Sequence, residues 1–383
     1  MIFSTPDLHL EDLAVLEQIH SMRRELDDVL RTPRRWEGGL RRSMVARAIR
    51  GSNSIEGYHV EVDDAVAALD EEEPLSTDER TFAEIRGYRQ ALGYVLSMAG
   101  DDDFVLDTSA IRSMHFMMLS HDLAKSPGRY RQGPVYVYDE GEATVVYEGP
   151  DALLIPGLME ELVTDLALDN DADLLVRAAM AHLNLVMVHP FRDGNGRMAR
   201  ALQTLVLSRG GIAEPAFSSI EEWLGANTDD YYQVLAITGA GSWHPDRDCG
   251  LWLSFNLRAH HMQAQTMLRR FRQANALWAA LDKLAAEYSL SERITDLLFD
   301  ALLGYRLRRS THVKRAEIEE RTATRDFKRL VDLGLLRAVG ETRGRHYVAA
   351  QRLQTLRENV LADIERRVED PYPWLRARLL TES

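Results

Sequence analysis

The sequence predicts an all-α protein interrupted by one short β-hairpin and closed by a winged helix. Three observations carry this. Apolar residues recur at helical spacing through most of the chain. One pair of β-rich runs at 135–147 breaks that pattern, and three short helices precede a second such pair between 291 and 350.

In chain order, residues 10–32 read as an amphipathic helix ending before Pro33. Residues 40–51 form a second that runs into Ser52-Asn53-Ser54-Ile55-Glu56-Gly57, with Gly57 placed as its C-terminal cap. The acidic stretch 70–73 with Pro74 is a loop, and Ser76 with Glu79 makes a capping box for a helix to Ala99. After the loop at 100–104, a helix runs from Thr108 to His121. Val135–Tyr138 and Ala143–Tyr147 flank a turn at Asp139–Gly141 and read as a hairpin. Helices follow at 154–168 and 171–188, from within 194–197 to Arg209, at 219–239 and at 249–288. Helices at 291–303, 312–320 and 322–333, then strands at 335–339 and 345–349, give the order of a winged helix, with a helical tail from Leu353.

At 383 residues the chain is long enough for two or three domains. The expected division is an N-terminal helical region at 1–100, a core at 101–260, a linking helix at 261–290, the winged helix at 291–350 and a tail at 351–383. Hydrophobic residues make up 45% and charged residues 28%, as in an ordinary globular protein, and no apolar run approaches the roughly 18 residues of a membrane span. No basic segment followed by an apolar stretch opens the chain, so no signal peptide is expected. Cys249, the only cysteine, has no internal partner, which suits a reducing cytoplasm. A metal would then be a hard ion held by oxygen. The net charge of -14 argues against nucleic acid binding over the whole surface.

The chemistry concentrates in His189-Pro190-Phe191-Arg192-Asp193-Gly194-Asn195-Gly196-Arg197-Met198-Ala199-Arg200, directly after the apolar Leu185-Val186-Met187-Val188. A helix N-terminus offers unpaired N–H groups and a positive dipole end, so it binds anions. Gly194 and Gly196 let a phosphate approach the backbone, and Asn195 adds a side-chain donor. Asp193 is a hard ligand of the kind Mg²⁺ takes singly beside phosphate and water. Arg197 and Arg200, three apart on one helix, can both reach terminal phosphates. His189 can take the proton of an attacking hydroxyl. Together these residue types make a phosphoryl or nucleotidyl transfer site.

This segment matches the Fic motif HxFx(D/E)GNGRxxR at every specified position, and the chain resembles the Fic family over roughly residues 10–260. The resemblance implies a Fic-type helical bundle that transfers AMP from ATP to a Tyr, Ser or Thr hydroxyl of a target protein. It makes His189 the general base, Asp193 the ligand of Mg²⁺ (or Mn²⁺), and Gly194–Gly196 the anion cradle. Asn195 would face the α-phosphate, Arg197 and Arg200 the outer phosphates, and Phe191 would anchor the loop in the core. Pro127-Gly128-Arg129-Tyr130-Arg131 and the hairpin at 135–147 resemble the family's flap, which aligns a target by strand pairing. Tyr231-Tyr232 resembles an aromatic pair near the adenine; the other reading of these two is core packing. Ser52, Glu56 and Gly57 fit the inhibitory motif (S/T)xxxE(G/N), which makes residues 40–57 an inhibitory helix. A Glu56 carboxylate on Arg200 would occupy the guanidinium that the γ-phosphate needs. In some relatives this glutamate also positions water to remove AMP, so a Glu56-dependent de-AMPylase is the first alternative. Homo-oligomers are common among relatives.

Residues 305–345 are basic within an acidic chain, and Thr322, Thr324 and Arg325 of the third short helix could contact DNA. Winged helices also bind proteins or dimerise. A DNA-binding regulator whose core only senses nucleotide is the second alternative.

Overall fold

The computed structural model describes all residues except 31–32, 75, 140–143, 169–170, 213–217, 342–344, 363, 365–366 and 382–383. The turn of the first hairpin and the tip of the second therefore lie outside the described residues. Helices α1 (Leu10–Leu30), α2 (Glu37–Ile55), α3 (Val62–Leu69), α4 (Glu79–Met98) and α5 (Thr108–Leu119) come first. Strands β1 (Tyr136–Asp139) and β2 (Thr144–Glu148) follow, then α6 (Ile155–Ala167), α7 (Leu174–Val188) and α8 (Asn195–Arg209). Next are α9 (Glu221–Ala226), α10 (Thr228–Gly239), strand β3 (Gly241–Ser242) and the 39-residue α11 (Gly250–Tyr288). Beyond it lie α12 (Glu292–Leu302), α13 (Arg309–Ala316), α14 (Glu320–Asp332), β4 (Leu336–Val339), β5 (His346–Ala349), α15 (Gln351–Leu361) and α16 (Leu375–Thr381).

The centre is α7 packed against α8. Nearly every α7 side chain is buried, because LLVRAAMAHLNLVMV is apolar around its whole circumference rather than along one stripe. Helix α11 covers this pair and continues far enough to meet α12 and α15, joining the core to the C-terminal elements. Strands β1 and β2 pair antiparallel, β3 pairs parallel to β2, and β1 and β3 are the sheet's two edges. In the C-terminal unit, Leu307 bridges Tyr347 of β5, and Phe327 stacks on Tyr347 at 4.2 Å.

Three expectations need correction. The α4 cap is Asp78, whose carboxylate accepts from Thr81 N at 2.9 Å; the Ser76 hydroxyl is taken by Asp64 at 2.6 Å and cannot serve the helix. The stretch 219–239 is two helices, broken at Asn227. The second helix of the C-terminal unit is Arg309–Ala316 rather than 312–320, because Glu317 turns left-handed at φ 50° and ends it.

Helix α2 extends through Ser52–Ile55, so Ser52 is helical while Glu56 and Gly57 form the turn that ends the helix. Its end is a Schellman motif: Gly57 N–H bonds Ser54 O and Tyr58 N–H bonds Asn53 O, with Gly57 at φ 82°. Backbone contact with α9 fixes its position. A Cβ on Gly51 would run into the carbonyl of Glu221, and one on Gly225 would lie 2.8 Å from Gly51 Cα. On its other flank α2 is tied to α12, Arg42 pairing with Asp300 at 3.1 Å and Arg35 with Asp296 at 3.1 Å. Helix α3 and the acidic loop after it meet the C-terminal unit in the same way. Arg306 pairs with Asp63 at 3.3 Å, Arg308 with Glu72 at 3.5 Å, and Arg315 with Asp70 and Asp300. No helix among the described residues is long and apolar enough to cross a membrane.

Candidate active site

The α7–α8 connection builds the site. His189 caps α7 in the left-handed region at φ 49°, and Gly194 at φ 77° opens α8, so residues 190–193 form a tight loop. Phe191 is fully buried, stacked on His115 at 3.7 Å with the rings 5° apart. His115 Nδ1 accepts from Gly128 N at 2.8 Å, which makes its Nε2 the donor to Asp193 O at 2.9 Å. Burial pulls the His115 imidazole down to about 4, so it stays neutral while it makes these two bonds.

Asn195 departs from expectation. Its amide bonds both the N–H and the carbonyl of Phe191 at 2.9 Å, closing the loop on itself. The side chain is spent on shape, and its contribution toward an anion is its backbone N–H at the start of α8.

His189 Nδ1 lies 3.1 Å from Val186 O and donates to it, which leaves Nε2 as a free lone pair. Burial lowers its pKa, the Val186 carbonyl opposes that, and Arg131 lowers it further. The imidazole is therefore a neutral base at neutral pH. Arg131, from the Pro127–Arg131 segment, holds the loop from outside: it donates to His189 O at 2.8 Å, Gly133 O at 2.7 Å and Pro150 O at 2.5 Å. One guanidinium thus fixes the flap to the residue that would act as base.

Arg197 and Arg200 of α8 are almost wholly buried, and each is held by a carboxylate. Arg200 donates to Glu56 Oε1 at 2.7 Å, to Ser52 Oγ at 2.8 Å and to Ser52 O at 3.0 Å. The Glu56 carboxylate lies against the first turn of α8: a Cβ placed on Gly196 would sit 2.6 Å from Glu56 Oε1. A helix terminus built to hold an anion therefore holds the one supplied by α2.

Arg197 pairs with Glu84 at 2.6 Å, and the sequence reading missed this residue. Glu84, on the inner face of α4, also receives Lys125 Nζ at 2.6 Å, His121 Nε2 at 3.2 Å and the Tyr58 hydroxyl at 3.1 Å. Burial alone would raise its pKa; Arg197 and Lys125 outweigh that and hold the carboxyl down at about 2. Asp193 accepts from Gly194 N at 2.5 Å and from Lys125 Nζ at 2.8 Å, and its side chain is 36% exposed. Lys125 too was not singled out from the sequence.

The two tyrosines divide. Tyr231 lies in the core, its hydroxyl 2.8 Å from His182 Nε2 in a network that continues through Gln203 to Asn256 and His260. Of the two readings of Tyr231, its burial and this network fit core packing. Tyr232 is 47% exposed and donates to Ile55 O at 2.8 Å, holding the last turn of α2.

A positive helix terminus, two buried guanidiniums and a neutral imidazole thus lie together beside the flap. Residues 105–207 match the model of the Fic/DOC family. The protein adenylyltransferase Fic of Nematostella vectensis is 30% identical over 171 residues, covering 42% of this chain and 35% of that protein. The adenylyltransferase fic-1 of Caenorhabditis elegans is 32% identical over 172 residues, covering 43% of this chain and 31% of its own length. The chain thus spans about a third of the length of these curated relatives. A Fic family protein from Desulfovibrio desulfuricans has the same fold at a TM-score of 0.58 and 21% identity, covering 91% of this chain and 98% of that one.

Proposed function

We propose that this protein transfers AMP from ATP to a Tyr, Ser or Thr hydroxyl of a target protein, and that Glu56 restrains it. The observation that carries the reading is the Glu56 carboxylate bonded to Arg200 against the Gly196 backbone, an anion at the anion-binding terminus of α8. The adenylyltransferase names of the relatives support the class of reaction. Once Glu56 withdraws, the N–H groups of Gly194–Gly196 and the guanidiniums of Arg197 and Arg200 receive the phosphates. Tyr232, the exposed member of its pair, is the candidate to meet the adenine.

Asp193 fits a divalent ion: it is a single, partly exposed carboxylate beside a phosphate cradle, the donor set that Mg²⁺ completes with phosphate and water. Bound there, Mg²⁺ or Mn²⁺ would offset phosphate charge. The target hydroxyl attacks the α-phosphorus as His189 Nε2 takes its proton. The bond from that phosphorus to the bridging oxygen breaks, and pyrophosphate leaves against Arg197 and Arg200. The open edge of β1 offers a target backbone a strand to pair with. Residues 291–350 are read as a winged helix, in which Thr324 and Arg325 are exposed toward a partner such as DNA. A cytoplasmic protein of this kind would meet its target and ATP in the same compartment.

The test is label transfer from α-³²P-ATP by wild type, Glu56→Gly, and Glu56→Gly with His189→Ala. Label on Glu56→Gly that vanishes in the double variant supports both the restraint and the base. A folded, ATP-binding Glu56→Gly that labels nothing, even with host lysate, removes adenylyl transfer from first place. De-AMPylation or nucleotide sensing would then lead.

A further inference from the structure

Lys125 ends the short 3₁₀ turn Leu123–Lys125, which Asp122 caps through Ala124 N at 3.0 Å, and Ser126 follows in the left-handed region at φ 56°. The backbone is therefore held on both sides, and the side chain points into the site with only 14% of it exposed. All three ammonium protons have acceptors: Glu84 Oε1 at 2.6 Å, Asp193 Oδ2 at 2.8 Å and the Tyr58 hydroxyl at 3.4 Å. The Glu84 contact acts as a tether, because Glu84 is 2% exposed and anchored again by Arg197.

We propose that Lys125 is a built-in cation on Asp193 that sets the protein's affinity for the divalent ion. The proposal rests on the reading of Asp193 as the metal ligand. A divalent ion reaching that carboxylate meets an ammonium already bonded to it, and the two positive charges repel across a few ångströms. Lys125 cannot retreat without giving up Glu84, whose negative charge would then be left to Arg197, His121 and the Tyr58 hydroxyl. An ion accompanied by the phosphates of a nucleotide brings its own compensating charge. Asp193 is thereby made a poor site for the free ion and a better one for the ion with its nucleotide. Arginine, which keeps the charge and the donors, should preserve this behaviour; methionine, which keeps the stem without the charge, should lose it.

The experiment is titration of Mn²⁺ into the full-length protein followed by electron paramagnetic resonance, with and without ATP. It uses wild type, Lys125→Met, Lys125→Arg, and Lys125→Met with Asp193→Asn, each checked for folding by circular dichroism. Without ATP, Lys125→Met should bind Mn²⁺ more tightly than wild type by roughly tenfold or more, the scale of one charge-assisted hydrogen bond. Lys125→Arg should stay near wild type, and the double variant should lose the gain. Equal or weaker Mn²⁺ binding by folded Lys125→Met overturns the role of Lys125 while leaving Asp193 as a metal ligand. No Mn²⁺ bound by wild type or Lys125→Met, even with ATP, overturns the metal assignment itself and this proposal with it.

Discussion

Replacing Glu56 by glycine removes one carboxylate from a buried guanidinium, and its effect on ATP can be worked out from the contact. Glu56 Oε1 accepts from Arg200 at 2.7 Å, and the Arg200 side chain is 1% exposed. A hydrogen bond to a charged group of this kind contributes about 1.5–3 kcal/mol. If ATP must displace it, Glu56→Gly should bind ATP roughly ten- to hundredfold more tightly, since each ~1.4 kcal/mol is a factor of ten. Isothermal titration of ATP into wild type, Glu56→Gln and Glu56→Gly reads this directly. Glutamine should fall between the other two, because it keeps an acceptor for Arg200 and loses the charge. The same loss should lower the melting temperature of the nucleotide-free variant, because Arg200 loses its carboxylate partner and keeps the neutral Ser52, and saturating ATP should restore it. A lowered melting temperature with unchanged ATP affinity would refute the reasoning: Glu56 would then be a structural ion pair beside the cradle, and no obstacle to phosphate.

Three further outcomes are expected. Because burial holds the His189 imidazole below its ordinary value of 6.5, it is already unprotonated at pH 7. Transfer by Glu56→Gly should be flat above pH 7 and decline only with a midpoint below 6.5, so a midpoint above that in single-turnover labelling would contradict the assignment. Glu84 has its carboxyl at about 2 against 4.5 when free, a depressed group whose stabilisation is complete above 4.5 and lost as the pH falls toward 2. Glu84→Gln should therefore cost about 3 kcal/mol of unfolding free energy at pH 7 in urea titrations, with the gap to wild type closing below pH 4. Gly196→Ala puts a methyl 2.6 Å from Glu56 Oε1 and 3.2 Å from Arg200 Nη1, in the space a phosphate would use. It should abolish ATP binding in titration calorimetry even when combined with Glu56→Gly.

What could be read from the sequence was what lies close together in it. Residues 189–200 carry their chemistry in one continuous run, and the expected helices around them follow from apolar spacing alone. Gly57 could be foreseen as a cap because helix ends have local chemistry. Glu84 could not: it is one acid on an amphipathic helix, and its partners Lys125 and Arg197 lie 41 and 113 residues away. Ser76 and Asp78 were both competent caps, and the choice was made by Asp64, twelve residues earlier, which claims the serine hydroxyl. Asn195 has a residue type suited to an external anion, and only the folded loop reveals that its amide serves Phe191. The backbone contact between Gly51 and the α9 turn leaves no mark in the sequence beyond two glycines among 24.

Three arginines of the C-terminal unit are committed to carboxylates of the N-terminal helices and the loop between them. Arg306, Arg308 and Arg315 face Asp63, Glu72 and Asp70, while Arg42 of α2 and Arg35 just before it reach back to Asp300 and Asp296. Charge counted along residues 305–345 therefore overstates what this unit presents to an outside anion. The same ion pairs tie α12 to α2, the helix that ends at the turn carrying Glu56. Helix α2 runs from that seam to the turn whose Glu56 meets Arg200, which joins the C-terminal unit to the site through one helix.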